Sequence, residues 1–552
     1  MNNQSPTPLV PNLKFRMKTC ALLLTGAASA LPSPLSAKES KQPNILCITV
    51  EDIQPYLGCY GDKVAVSPNL DRFAKSAIRF ERMFTTVGVS SPSRAALITG
   101  MYPSAIGANY MRNNTIPSQM PADITPYDVV LPAGVKCYSE YMRAAGYYCT
   151  NNSKTDYQFA APLTAWDANG KEAHWKNRPK GKPFFAIFNI EVTHESQIWR
   201  RTDMPLAVKP EDVVLPPYYP DDPIVRHDMA VMYSNIAEMD KRFQVLMNEL
   251  KAAGEEKNTI VIWYSDNGGP LPRQKRAIYE SGMRVPFMIS FPDGYRAGEV
   301  EDRMCMFPDI PATILSLAGI KPPTYMQGVP FLGKYQSHEK RSYVYGARNR
   351  MDEQRDKQGA VRDERFRYVR NYTPERPNYI PVGYRLQMPM MRRLIELLQQ
   401  DKLNETQMRW FVAPRGKEEF YDVVDDPYEV NNLIADPRYA ADIERMRKEL
   451  DRWIAEDCPR WKKTEKENQE SMWAEGKQPV LKAPTCTLTK QGISITSKEE
   501  GVSFAYQIDG KGYTPEHWFL YTKPIKLKKG QKLTAVSVRA GMKNSPAESF
   551  VR

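Results

Sequence analysis

The chain is predicted to be an α/β protein with a central, mostly parallel sheet, a smaller α+β subdomain and an appended β-sandwich. Three observations predict this. Between about residues 42 and 320, short apolar runs alternate with amphipathic helical patterns, as in parallel strands joined by helices. From about 340 the pattern turns to paired strands followed by charged helices. Beyond 480, apolar residues fall largely at every second position among turn residues. The length of 552 residues also exceeds one hydrophobic core, at about 150 residues per domain.

Asn44-Ile45-Leu46-Cys47-Ile48-Thr49-Val50, the run 184–190 and the run 259–264 read as buried strands. Met229, Met232, Ile236, Met239, Phe243, Leu246 and Leu250 step by three and four, which predicts a helix with Gly254 past its end. Its methionines are core residues. These elements belong to a catalytic-sized domain over 42–340. Tyr343–Gly346 and Phe366–Arg370 read as antiparallel strands, with helices near 386–400 and 438–455, in a subdomain over 341–455. Residues 456–480, rich in Lys, Glu and Gln, read as a linker. Ile493, Ile495, Val502, Phe504, Tyr506, Ile508, Ile525, Leu527, Leu533, Val536 and Val538 predict a small β-sandwich over 481–552. It resembles the C-terminal β modules of bacterial hexosaminidases and other glycan enzymes.

Hydrophobic residues at 42% and charged residues at 25% exclude wholesale disorder and a coiled-coil rod. The 45 prolines favour structured loops over long helices. Net charge is +12 and the pI near 9.0, which suits an anionic partner or only a solubilising surface. No nucleic-acid recognition motif is present. After the first 40 residues no run of about 18 apolar residues predicts a membrane span. Lys14, Arg16 and Lys18, the apolar stretch 21–28 and the small residues Ser36-Ala37 predict an export signal over 1–37, with Met17 an alternative start. Without Cys20, seven scattered cysteines remain. They form no disulfide framework, Cys137 and Cys149 being the pair that could bridge, and no CxxC supports a thiolate zinc site.

In open parallel sheets, ligands bind beyond the carboxyl ends of the strands. Strand 44–50 ends in Glu51-Asp52, and the run 146–150 leads into Asn151-Asn152-Ser153-Lys154-Thr155-Asp156. Strand 184–190 leads into Thr193-His194-Glu195, and strand 259–264 into Ser265-Asp266-Asn267-Gly268. One such cluster is ordinary turn chemistry. Four at one edge form a site. Glu51, Asp52, Asp266 and Asn267 offer hard oxygen donors, which suit Ca²⁺ or Mg²⁺ and disfavour zinc. Five histidines, of which only His194 follows a strand of this sheet, do not make a two-zinc phosphatase centre.

The segment Gly88-Val89-Ser90-Ser91-Pro92-Ser93-Arg94-Ala95-Ala96-Leu97-Ile98-Thr99-Gly100 reads first as a helix start, with Ser91 as cap and Pro92 in the first turn. That reading does not account for Ser90, Arg94 and the Thr99-Gly100 stop together. A helix N-terminus is also an anion site.

This segment resembles the signature of type I sulfatases: Cys or Ser, any residue, Pro, a small residue, Arg, ending in Thr-Gly. Pro43–Leu46, Leu57-Gly58-Cys59-Tyr60-Gly61, Ser67–Arg72, Lys275–Glu280 with Arg284-Val285-Pro286, and Phe420-Tyr421-Asp422 with Asp426–Glu429 match the same family. The resemblance covers roughly 42–455 and implies the alkaline-phosphatase-like sulfatase sandwich. It further implies that Ser90 is oxidised to formylglycine by a bacterial radical maturase. One hydroxyl of the hydrated aldehyde attacks sulfur and the other helps expel sulfate, whereas plain serine would stay trapped as a sulfate ester. Glu51, Asp52, Asp266 and Asn267, with the modified Ser90, are the implied ligands of Ca²⁺, or Mg²⁺. Arg94 and Lys154 are implied to hold the formylglycine hydroxyls. His194 and Lys275 contact the sulfate, and one of them protonates the leaving group.

Two positions depart from the pattern. Glu51 stands where Asp is usual, and Asp156 where a His is common, so Asp156 is a candidate base. The heparan N-sulfatase (sulfamidase) branch is the nearest likeness. It implies an N- or O-sulfated glycan substrate and a periplasmic or secreted location, leaving exo or endo action and oligomeric state open. Arg348, Arg350, Arg362 and Arg370 are candidates for binding neighbouring anionic sugars, or are solvated hairpin charges. The rival readings are a phosphatase or phosphonate hydrolase of the same superfold, and a non-catalytic sulfated-glycan-binding protein with Ser90 unmodified.

Overall fold

A computed structural model describes residues 42–114 and 119–552; the expected export signal over 1–37 lies outside the described residues. The central sheet comprises β1 (Asn44–Val50), β2 (Ala77–Phe84), β3 (Tyr148–Asn152), β4 (Ala168–Asn169), β5 (Phe184–Ile190), β6 (Thr259–Ser265), β7 (Arg284–Ser290) and β8 (Val300–Met306). Their order is β4-β3-β5-β1-β6-β7-β2-β8. The first five are mutually parallel, and β7 runs antiparallel to both its neighbours.

Strand β1 is buried along its whole length and shows why the central run is apolar throughout. Ile45 and Cys47 enter the core on one face; Leu46, Ile48 and Val50 enter the core on the other. The second face is covered by the helix Pro223–Ala252, where Met229, Met232, Ile236, Met239 and Phe243 form the expected apolar stripe. Asp222 caps its start by accepting from the Ile224 N–H at 2.9 Å, and Gly254 follows its end at φ +70.

Strands β9 (Val344–Met351), β10 (Gln354–Arg362), β11 (Phe366–Asn371) and β12 (Glu418–Asp422) form an antiparallel sheet covered by the helix Ala440–Asp457. Val361, Tyr368 and Trp453 share one core with Ile45 and Phe287 of the central sheet. The C-terminal strands Thr485–Thr489, Gly492–Thr496, Ser503–Ile508, Phe519–Leu520, Lys532–Val538 and Glu548–Val551 make a two-stranded and a four-stranded sheet. They enclose Ile493, Ile495, Ile525, Leu527, Leu533 and Ala535. This module is docked by polar contacts: His517 Nε2 lies 2.9 Å from Asp167 Oδ1, and Ser503 Oγ donates to Glu140 at 2.7 Å.

Two expectations are corrected. The supposed linker 456–480 contains a helix, Glu465–Met472, started by a capping box of Thr464 and Glu467. Its Glu465, Asn468 and Gln469 are buried. Polar composition suggested solvent, but each of these side chains has a long-range partner: the buried Arg350 and Tyr110 for Glu465 and Asn468, and the Thr125 carbonyl for Gln469. Cys137 and Cys149 do not bridge. Both are free and buried, and the Cys149 thiol lies 3.8 Å from the Ser139 carbonyl. No helix among the described residues is long and apolar enough to cross a membrane.

Candidate active site

The parallel register decides what converges. Val50 pairs with Ile190 of β5 and with Ser265 of β6, so the segments after these strands leave the sheet at one level. Glu51, Asp52, Asp266 and Asn267 are all fully buried there. Carboxylate oxygens of Glu51, Asp52 and Asp266 lie within 4.8 Å of one another. The Asp52 N–H donates to Asp266 at 3.2 Å, and Asn267 Nδ2 donates to Asp52 at 3.0 Å.

The signature segment forms the helix Ser90–Thr99, capped by the extended Val89 with no side-chain cap bond. The cap lies two residues ahead of the Ser91 reading, so Ser90 is the first residue of the helix. Ser90 Oγ donates to Asn267 Oδ1 at 3.2 Å, which brings the serine to the acidic cluster. Gly88 lets this loop touch the segment after β6: a Cβ there would come 2.2 Å from the Ala277 carbonyl oxygen.

Cations interleave with the carboxylates. Arg94 reaches Asp266, Glu51 and Asn189 at 2.9, 2.9 and 2.7 Å. Lys154 donates to the other oxygen of Glu51 at 2.7 Å. The longer arm of Glu51 therefore serves two cations. Burial would raise this carboxyl, but Lys154 and Arg94 carry it well below the usual carboxylate range. Lys275, 1% exposed, donates to Asp52 and lies 3.9 Å from Glu195. Burial raises Asp52 against the pull of Lys275. Burial and then the Glu51 charge raise Asp266 although Arg94 is in contact. Three buried carboxylates and an amide, two of the acids still displaced upward, fit a hard divalent cation.

His194 Nδ1 accepts from the Ser196 N–H at 3.2 Å. The neutral ring thus carries its proton on Nε2, 4.0 Å from Glu51. Burial, then the Lys275 charge, pulls this imidazole down to about 3. Glu195 donates its N–H to Asp52 at 2.7 Å and grips Arg276 at 2.7 and 2.8 Å. Arg276 continues to Asp352 of the β9–β10 turn at 3.1 Å. Asp156 Oδ1 lies 3.6 Å from Arg112, while Oδ2 has no partner among the described residues.

Glu51, Lys154, Asp156 and His194 line one cleft of about 600 Å³. Sequence reading missed Arg112, Arg200 and Tyr384 on its wall, and Asn189 beside Arg94. Arg200 was recoverable, because it closes the short helix Ser196–Arg200 that follows the Thr193-His194-Glu195 cluster. Arg112 and Tyr384 lie on loops with no local signal.

The four arginines expected to bind sugars are not part of this cleft. Arg348 pairs with Asp356 at 2.5 Å, Arg350 with Glu465 at 2.7 Å, and Arg362 with Glu280 at 3.0 Å, all three arginines buried. Arg370 pairs with Asp451 and with Tyr368. Acids from neighbouring strands, turns and helices, invisible to a hairpin reading, neutralise them.

The sulfatase family profile matches residues 43–168 and 169–320, and the profile for N-sulphoglucosamine sulphohydrolase, C-terminal, matches 273–379. An ulvan-active sulfatase of Formosa agariphila is 40% identical over 547 residues, covering 92% of this chain and 91% of that one. The human N-sulphoglucosamine sulphohydrolase is 25% identical over 497 residues, covering 80% and 94%. Among solved structures, the phosphonate monoester hydrolase of Agrobacterium radiobacter shares the fold, with TM-score 0.55 and 16% identity over 83% of this chain and 100% of that one. With the signature serine standing against buried acids at the sheet edge, the chain belongs to the sulfatase family.

Proposed function

We propose that this protein hydrolyses sulfate groups, on sugar oxygen or nitrogen, from an anionic glycan. Ser90 is matured to formylglycine by a radical maturase, and Glu51, Asp52, Asp266 and Asn267 hold Ca²⁺ or Mg²⁺. One observation carries the reading: the Ser90 hydroxyl meets Asn267 at 3.2 Å inside the same buried cluster as the three carboxylates. When present, the aldehyde hydrate supplies the nucleophile and the cation offsets charge on the sulfate oxygens.

The chain's own groups do the rest. Arg94 and Lys154 neutralise Glu51 and are the groups proposed to hold the hydroxyls of the matured residue at position 90. Lys275, fixed between Asp52 and Glu195, and the Nε2–H of His194 are the two donors for the departing sugar atom. Asp156, with one carboxylate oxygen unpartnered at the cleft, supplies the proton acceptor for sulfate release. The ulvan-active and N-sulphoglucosamine names of the relatives support a sulfated glycan substrate. The signal-like N-terminus supports export to the periplasm or beyond.

The test is co-expression with a radical maturase, then mass analysis of the Ser90 peptide and sulfate release from ulvan and N-sulfoglucosamine oligosaccharides. Loss of two hydrogens at Ser90 with sulfate release is the expected result. Turnover of aryl phosphate alone would make the protein a phosphatase. An unchanged Ser90 that binds glycans without turnover would make it a binding protein.

A further inference from the structure

Resting on the sulfatase reading, we propose that the cleft holds a second anion-recognising subsite formed by Arg112 and Arg200. It selects sugars that carry a carboxylate or further sulfate beside the scissile sulfate, and the helix Glu465–Met472 positions Arg112 for it.

The first argument is the state of these two guanidiniums. Arg94, Arg276 and Arg350 have their charges matched by acids at 2.7–3.1 Å. Arg112 is one-third exposed, and its nearest acid, Asp156, stands at 3.6 Å, beyond hydrogen-bond length. Arg200 is exposed, and its side chain has no ion pair or hydrogen bond among the described residues. Both line the cleft that contains Lys154 and His194, and neither touches the acidic cluster or Ser90. A guanidinium with free donors matches the planar, two-oxygen face of carboxylate or sulfate. Two of them on the wall of a sulfate-binding cleft are complementary to a multiply anionic sugar.

The second argument is how Arg112 is held. It sits at φ +48, a strained conformation for a long side chain, so its neighbours must fix the loop. Met111 makes both backbone bonds to Arg350: its N–H donates at 2.9 Å and its carbonyl accepts at 2.7 Å. Arg350 also reaches Asn113 at 3.4 Å and is clamped by both oxygens of Glu465 at 2.7 and 2.8 Å. From the same helix, Asn468 donates to the Tyr110 hydroxyl at 3.1 Å and Gln469 to the Thr125 carbonyl at 2.6 Å. Asn468 thus holds Tyr110 directly and Glu465 holds Met111 and Asn113 through Arg350, on either side of Arg112, while Gln469 anchors Thr125 farther along the chain. Glu465 is a positioning residue, acting through Arg350.

The experiment compares kcat/KM of the matured enzyme on three matched sulfated disaccharides. One carries a uronate beside the sulfated sugar, one is its carboxyl-reduced twin, and one carries a second sulfate in that place. The intact enzyme is expected to favour the anionic substrates over the reduced twin by about 10- to 100-fold, the worth of one charge-assisted contact. Whichever anion is favoured identifies the group bound. Arg112→Ala and Arg200→Ala are expected to shrink that preference mainly through KM, with Arg112→Lys retaining part of it. Glu465→Gln is expected to shrink it too, and to add little when combined with Arg112→Ala. If Glu465→Gln does not fold, Asn468→Ser is read in the same way. Equal rates on all three substrates overturn the subsite and leave the sulfatase reading standing. Release from none of them overturns both. A Glu465→Gln enzyme with lowered Tm and unchanged preference overturns the positioning role.

Discussion

Two buried charge clusters sit in this molecule, and their difference separates architecture from chemistry. In the C-terminal subdomain, Arg348 and Arg415 share Asp356, Arg362 and Arg367 share Glu280, and Arg350 is held by Glu465. Every one of these cations is charge-paired within the protein, and none lines the cleft. At the carboxyl edge of the central sheet, three carboxylates crowd within 4.8 Å, a serine hydroxyl joins them, and an oxygen of Asp156 is left unpartnered beside an open cleft. Burial alone therefore does not mark a functional charge. What marks it is a donor or acceptor that the protein itself leaves unanswered.

The comparison can be broken most directly at Ser90. Ser90→Ala is expected to lower kcat by at least about 10³-fold with the fold intact, read by sulfate release and circular dichroism. Survival of turnover would remove the edge cluster from catalysis. Chelation is expected to abolish turnover and added Ca²⁺ or Mg²⁺ to restore it. Asp266→Asn should raise the cation concentration needed by about 10-fold or more, measured by metal titration of activity.

The subdomain cluster should respond in stability instead. Arg362→Met removes one of the two guanidiniums on the buried Glu280 and is expected to cost about 1.5–3 kcal/mol, the worth of a charged hydrogen bond, with KM unchanged, read by denaturant unfolding and kinetics. Burial would raise Glu280, but Arg362, Arg367 and Arg284 hold it low, from 4.5 to about 2. A depressed carboxyl contributes stability that is present above its unfolded value and lost as pH falls through the folded one. Unfolding measured between pH 4.5 and 2 should therefore show a loss on the acid side that Glu280→Gln flattens. Arg370→Ala, at a pair with the largely exposed Asp451, is expected to change stability by no more than about 1 kcal/mol.

Much of the site was legible because strand periodicity fixes where a chain leaves a parallel sheet. Reading β1, β5 and β6 as buried runs was enough to bring Glu51, Asp52, His194, Asp266 and Asn267 to one edge, and the structure assembles them there. The four arginines failed for the opposite reason. On β9, β10 and β11 the partners are supplied by other elements, 8 residues away for Arg348 and 115 for Arg350. No local pattern encodes such pairings. The helix Glu465–Met472 was hidden by its composition: Lys, Glu and Gln read as solvent-facing until long-range partners are known.

By itself the sequence determined the type of sheet, the residues at its carboxyl edge and the hard-oxygen character of the site, because apolar periodicity and donor chemistry are local properties. Tertiary structure decided which cations remain open to a ligand. That depends on whether an acid from another element reaches them: one reaches Arg348 from the next strand and Arg350 and Arg362 from distant segments, all at hydrogen-bonding distance, and none so reaches Arg112 or Arg200.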